Sequence, residues 1–453
     1  MTPSSITAGD TAWLLMSTAL VMLMVPGLAF FYGGLVRTRA VLNTMMMSVA
    51  ALGIVGVQWV VGGYSLAFST STPFLGNLGW AAFSGVAASP NATYSAAVPH
   101  VLFAAFQGMF AAISVALISG AVVERMRFGA YLLFVLLWTT LVYDPLAHWV
   151  WADGGWLRTL GALDFAGGTV VHISAGVSAL VAAVFLGKRR DVGRLPLVPH
   201  NVPFTLLGAG LLWFGWFGFN AGSALAADGI AANALVTTHS AAAAAVAAWV
   251  LLDLARTRRS TAVGAATGAV AGLVAITPAA GFVTPGAALL IGALGASASY
   301  AAIQLRARTS VDDSLDVFAC HGVAGITGAL LTGVFASKAV NPLGNDGLLN
   351  GNPGLLGVQA VAVLATMVLA SVLTLGILAL IRLVTPLRVA VTDEIMGVDL
   401  TEHGEEGYHG GDVGDLVGRP RAIGESVLIP AAEVASASAG RFSLRRDGVA
   451  AEG

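Results

Sequence analysis

Apolar runs of roughly 20 residues, long enough to carry a helix across a hydrocarbon core of about 30 Å, recur along most of the chain. They fall near 10–35, 43–68, 98–123, 128–150, 164–187, 201–222, 231–254, 261–277, 282–305, 314–336 and 355–382. A barrel would show short alternating segments instead, so the pattern predicts an all-α integral membrane protein with eleven transmembrane helices. The residues before the first run lack the basic stretch of a secretory signal, and that run reads as the first span.

Composition agrees: 57% of the 453 residues are hydrophobic and 10% are charged, too apolar a balance for a domain whose whole surface meets water. The 56 glycines suit helices that pack closely in lipid through small side chains. A net charge of -2, with no basic patch interleaved with aromatics, excludes a nucleic-acid partner. The single cysteine, Cys320, excludes an intrachain disulfide and reads as a small buried hydrophobe.

Charge then gives orientation. Arg37 and Arg39 follow span one, Arg125 and Arg127 span three, and Lys188, Arg189, Arg190 and Arg194 span five. Arg256, Arg258 and Arg259 follow span seven, Arg306 and Arg308 span nine, and Arg382 and Arg388 span eleven. The opposite loops hold only Arg158 and Lys338, so the positive-inside rule places the N-terminus outside and the C-terminus in the cytoplasm. This predicts a transmembrane domain over 1–384 and a cytoplasmic tail over 385–453, mostly flexible beyond 410, where composition supports no core.

Two segments repeat. Span five carries Asp164-Phe-Ala-Gly-Gly-Thr-Val-Val-His172-Ile-Ser-Ala-Gly176 and span ten Asp316-Val-Phe-Ala-Cys-His321-Gly-Val-Ala-Gly325. Both read His-x-x-Ala-Gly after an aspartate, on spans that cross in opposite senses. This is the mark of an inverted five-plus-five helix repeat, about 10–190 and 201–336, followed by a final helix at about 355–382. Each histidine should lie about 10–13 Å deep from opposite faces, close enough for the imidazoles to meet.

Ionisable groups inside spans are costly and face a cavity or a partner. A buried neutral imidazole can donate and accept, so His172 and His321 suit a hydrogen-bonded chain that relays a proton or steadies a small amine. Asp164 and Asp316 stand where a carboxylate caps the free N–H groups of a helix, and also where a negative charge favours a cation. Aromatics gather at the outer ends: Phe106 and Phe110 in span three, Trp149 and Trp151 ending span four, Trp216 and Phe219 with Ser223 ending span six. Trp149 fits an interfacial belt, whereas ring faces over a pore would attract a cation. No metal-ligand set and no Ser/His/Asp set converges at one depth, so neither a metal, a cofactor nor enzymatic chemistry is expected.

These residues resemble the ammonium transporter (Amt/Mep/Rh) family, in its bacterial Amt branch, over nearly all of 10–410. The similarity is carried by Phe-Tyr-Gly-Gly-Leu-Val-Arg at 31–37, Phe-Gln-Gly-Met-Phe at 106–110, Glu-Arg-Met-Arg-Phe at 124–128, Trp-Phe-Gly-Phe-Asn-Ala-Gly-Ser at 216–223, and the two histidine segments. The resemblance implies a multi-pass protein of the cell membrane, a homotrimer with one pore per subunit, and ammonium or ammonia as substrate, with methylammonium as an analogue. It assigns Phe110, Trp151 and Ser223 to an outer recruitment site, Phe110 and Phe219 to a stacked gate, and Trp216, His172 and His321 to the pore. Asp164 would support the site from behind. The tail segment 397–408 resembles the part of the family that couples subunits and meets a P-II signalling protein. Two departures stand out: Met109 replaces a small polar residue in the gate motif, and 411–453 extend past the family core.

Rival classes are an intramembrane enzyme, a sensor that binds without flux, and a channel for neutral gas, water or small amines. The aromatic cluster separates the last of these from an ammonium transporter, because a vestibule that binds cations has no purpose for a neutral permeant.

Overall fold

A computed structural model describes residues 6–193 and 198–408. Among the described residues, ten helical stretches are long and apolar enough to cross a membrane. They are α1 (Ala8–Leu35), α2 (Thr38–Phe68), α3 (His100–Val122), α4 (Phe128–Leu160), α5 (Gly168–Leu186), α6 (Val202–Gly222), α7 (Gly229–Thr257), α9 (Pro285–Arg306), α10 (Phe318–Phe335) and α11 (Gly354–Val384). The shorter apolar helix α8 (Ala262–Ile276) fills the place expected for the eighth span. Among the described residues no β-strand occurs. Arg194 and the extension expected to be flexible beyond 410 lie outside the described residues.

Helix starts follow from local chemistry. Thr7, Asn201, Asp228, Thr261 and Thr284 each accept a first-turn N–H at the head of α1, α6, α7, α8 and α9. Pro285 at the head of α9 has no N–H to leave unpaired. Four spans contain a π-helical stretch, at Trp59–Gly63, Thr139–Tyr143, Gly168–Ile173 and Phe318–Val323. The last two hold the two histidines.

The repeat is visible in the packing. The first helices of the two halves, α1 and α6, pack along each other, and α5 meets α10 in the interior. At that crossing a Cβ on Gly176 would lie 2.2 Å from the backbone nitrogen of Gly322, and one on Gly325 would lie 3.0 Å from Cγ1 of Ile173. The glycines of both His-x-x-Ala-Gly motifs thus let the two histidine-bearing backbones touch.

The face that the charge pattern puts in the cytoplasm is tied by ion pairs. Glu124 joins Arg37 at 2.6 Å and Arg189 at 3.2 Å; Asp312 joins Arg189 at 2.9 Å and Arg125 at 3.7 Å. Arg125 also donates to Ser314 Oγ and to the Asp312 carbonyl, both at 2.6 Å. The loops after α1, α3, α5 and α9 therefore meet on one side, as spans of alternating direction require. Two short helices follow α11: α12 (Val391–Met396) and α13 (Val398–His403). They lie against this face. Asp399 accepts from the backbone N–H groups of Leu42 and Asn43 at 3.0 and 2.8 Å, Glu402 from that of Phe128 at 2.8 Å, and Glu394 from that of Arg190 at 2.6 Å. Acidic residues of the tail thus satisfy backbone donors at the cytoplasmic ends of α2 and α4 and in the loop after α5. Residues Met1–Gly407 form one compact unit.

Two outcomes follow from this packing. Gly176→Val drives a side chain into backbone that cannot yield, so the thermal midpoint in detergent should fall by several degrees, while Gly210→Ala, with open space around it, leaves it unchanged. The second concerns acid. Burial pushes the Glu124 and Asp312 carboxyls up, but Arg189 with Arg37, and Arg189 with Arg125, outweigh it and hold both below their ordinary values of 4.5 and 3.8. Their pairing contributes stability above those values and loses it as pH falls through the lower folded-state pKa. Melting temperature should therefore drop from about pH 5 to about pH 3, and Glu124→Gln should flatten the slope.

Candidate transport pore

The Asp164 carboxylate is the origin of the site. Oδ1 accepts from the backbone N–H groups of Gly167 and Gly168 at 2.8 and 2.6 Å, and Oδ2 from Thr169 at 2.8 Å and Val170 at 3.3 Å, with the Thr169 hydroxyl added. It thereby anchors the open N-terminus of α5, satisfying donors that lipid could not. The π turn that follows aims His172 inward. Extra-residue turns of this kind occur frequently at functional sites.

On α10 the corresponding work falls to Asp313. Its carboxylate accepts from Val317 N–H at 3.0 Å and Phe318 N–H at 2.7 Å, and it stands at the same spacing before His321 as Asp164 does before His172. Asp316, expected to cap this helix, does not. Its backbone takes a positive φ of 57°, and its carboxylate meets Arg306 Nε at 2.5 Å in the inner vestibule. The Asp-to-His spacing would have identified Asp313 in the sequence.

The histidines meet. His172 and His321 are buried, their Nδ1 atoms are 3.3 Å apart, and the rings stack at 5.4 Å with an interplanar angle of 23°. One Nδ1 must donate and the other accept, so the two Nε2 atoms take opposite roles, one acceptor and one donor. His172 Nε2 has no partner. Trp216 stacks on His172 at 5.3 Å and donates its indole N–H to Thr277 Oγ1 at 2.9 Å, which fixes the ring. The space beside the pair is about 10 Å³, walled by Leu28, Ile113, Leu117 and Val270 among others.

Above the pair, Phe110 and Phe219 stack at 4.2 Å and 27°, both buried, closing the path outward. Trp151 sets its ring edge-on to Phe110 at 6.0 Å and donates its N–H to the Asp164 carbonyl at 2.9 Å. Ser223 donates its hydroxyl to the Phe219 carbonyl at 2.8 Å, which leaves the oxygen's lone pairs as acceptors. Phe110, Trp151, Ser223, Gln107 and Phe165 line an outer cavity of about 170 Å³, with Arg158 at its wall. On the inner side a larger cavity of about 310 Å³ holds Phe31, Trp249, Asp253, Tyr300, Asp316 and Cys320. Phe110, Trp151, Ser223, Phe219, Trp216, His172 and His321, expected from the sequence to act together, are therefore brought together in the structure. Among the described residues, no group of three or more His, Cys, Asp or Glu is placed to hold a metal.

Fold and site together describe a polytopic membrane protein in which two buried, touching histidines lie between two separate cavities. Residues 12–408 match the Ammonium Transporter Family, and the chain belongs to it. It is 49% identical to an ammonium transporter of Bacillus subtilis over 88% of this chain and 98% of that protein. It is 47% identical to an ammonium transporter of Aquifex aeolicus over 88% and 93%. Among solved structures, Mep2 of Saccharomyces cerevisiae matches with a TM-score of 0.80 at 37% identity, covering 85% of this chain and 88% of that one. A structure titled a sensor Amt protein matches with a TM-score of 0.80 at 29% identity, covering 87% and 98%. The chain is thus a multi-pass membrane protein of a transporter family rather than an enzyme.

The cap assignment is testable by thermal unfolding in detergent. Asp313→Ala, which strands two N–H groups, should cost about 1–2 kcal/mol, and Asp316→Ala clearly less.

Proposed function

We propose that this protein moves ammonium across the membrane by recruiting the cation outside, removing its proton near the phenylalanine gate and conducting ammonia past the histidine pair. The observation that carries this reading is a neutral, apolar passage of about 10 Å³ beneath an aromatic vestibule. A cation over the faces of Trp151 and Phe110 gains about 0.5–2 kcal/mol per ring, and Ser223 adds an acceptor. That suffices to collect ammonium. It does not repay stripping the ion of water for passage between Leu28, Ile113 and Val270, which costs several kcal/mol.

Ammonia carries no such penalty. It can donate to the accepting Nε2 of one histidine and accept from the Nε2–H of the other. A shed proton taken up at the accepting Nε2 lets the shared proton cross the 3.3 Å Nδ1 contact while the other histidine releases its own Nε2 proton on the far side; one proton passes, both rings end neutral, and their two roles are exchanged. Methylammonium fits the same chemistry with weaker access.

The homotrimer belongs to this proposal. His239 lies exposed on α7, beside Trp213 at 5.5 Å, and the Trp213 indole N–H has no partner. An exposed imidazole at membrane depth is costly against lipid, and a second copy covering that face removes the cost. The location is the cell membrane, and the tail segment 397–408 is the part proposed to meet a P-II protein.

Currents recorded on proteoliposomes after an ammonium jump test the mechanism. Wild type should give a saturable current, and His172→Ala with His321→Ala should lose it. A rapid rise in internal pH without current would instead establish a neutral gas channel and overturn the proton route.

A further inference from the structure

A glutamine near the start of α11, in an otherwise apolar run, holds the outer ends of both repeat halves. Gln359 is 1% exposed, and both its oxygen and its nitrogen are engaged. Its Oε1 accepts from the Leu163 N–H at 2.8 Å, while Nε2 donates to the Leu163 carbonyl at 2.8 Å and to the Ala329 carbonyl at 3.0 Å. Leu163 is thus gripped on both its backbone groups, and Ala329 belongs to α10, beyond His321. A buried amide in lipid is costly unless such bonds are made, so its geometry is tightly specified.

What Leu163 leads into gives the grip its meaning. The next residue, Asp164, fixes the Trp151 indole through its carbonyl and the head of α5 through its carboxylate. Phe165 donates its N–H to the Pro278 carbonyl at 3.1 Å and lines the outer cavity. The loop over 162–165 therefore sets the recruitment tryptophan and the histidine-bearing helix together. Span eleven lies outside the five-plus-five repeat and contributes no side chain to the outer cavity.

We propose that Gln359 is a positioning residue for cation recruitment: its three hydrogen bonds hold the 162–165 loop so that Trp151 stays over the outer cavity. It acts through Leu163 and Asp164 and does not touch the permeant. The proposal rests on the transport reading above, and its effect falls on affinity rather than on passage, because the Asp164 carboxylate keeps its own bonds to the head of α5 and Trp216, fixed by Thr277, still backs His172 when Gln359 is lost.

The test is ammonium-jump currents on proteoliposomes of the full chain, comparing wild type, Gln359→Leu and Gln359→Glu. Gln359→Leu keeps most of the volume and removes all three bonds. It should raise the half-saturating ammonium concentration about three- to tenfold and leave the maximal current within about twofold. Gln359→Glu keeps the acceptor for Leu163 N–H, and its half-saturation should fall between the two. A lowered maximal current with unchanged half-saturation in both variants would show a merely structural role and overturn the proposal. If wild type itself carries no ammonium, the transport reading fails, and hydrogen exchange decides the positioning role separately. Faster exchange over 163–169 in Gln359→Leu supports the grip, and unchanged exchange overturns it.

Discussion

Everything in this molecule is arranged around backbone N–H groups that must be satisfied where there is no water. A helix that begins inside the membrane has several free donors, each costing several kcal/mol in hydrocarbon if unpaired. Asp164 meets that demand at the head of α5 and Asp313 at the head of α10. Both helix starts are buried inside the protein, and their first turns carry the histidines, which meet there.

Once the two starts face each other, close approach becomes the next requirement. Gly176 lies against Gly322, and Gly325 against Ile173, so the backbones touch and the imidazoles between them come within hydrogen-bonding distance. The rest of the path is held by bonds running from one element to the next: Trp216 to Thr277, Trp151 to Asp164, Leu163 to Gln359. Each takes a ring or loop that would otherwise move and ties it to another span. Preorganisation of this kind matters most in a passage too small to tolerate sliding side chains.

Much of this was legible in the sequence, and what was not has identifiable physical causes. Apolar runs gave the spans, because length against bilayer thickness is a strong constraint. The paired His-x-x-Ala-Gly motifs gave the meeting of His172 and His321. The π turns were hidden, since a one-residue expansion leaves no mark on an apolar run. Asp316 drew attention by lying nearest to His321, although Asp313 repeats the Asp164 spacing. The arginines at the ends of odd spans read as solvated topology signals, yet Arg37, Arg125 and Arg189 are locked to Glu124 and Asp312, and no local pattern pairs residues so far apart. The role of Gln359 was not legible, because its partners are backbone groups that a sequence does not display.

The two halves repeat in backbone but not in chemistry, and the difference bears on how a cation would be treated at either end. Outside, the Asp164 charge is consumed by the helix start it caps, and the vestibule offers ring faces and one hydroxyl. On the proposed reading, such a site holds a cation weakly and lets it go. Inside, capping is left to Asp313, and Asp316 pairs with Arg306 at the wall of the vestibule that Asp253 also lines. On the proposed reading, ammonia emerging there meets the Asp253 and Asp316 side chains, acceptors for the re-formed ammonium ion. The inverted repeat supplies the passage, and the departure from symmetry at Asp313 and Asp316 gives its two ends different chemistry.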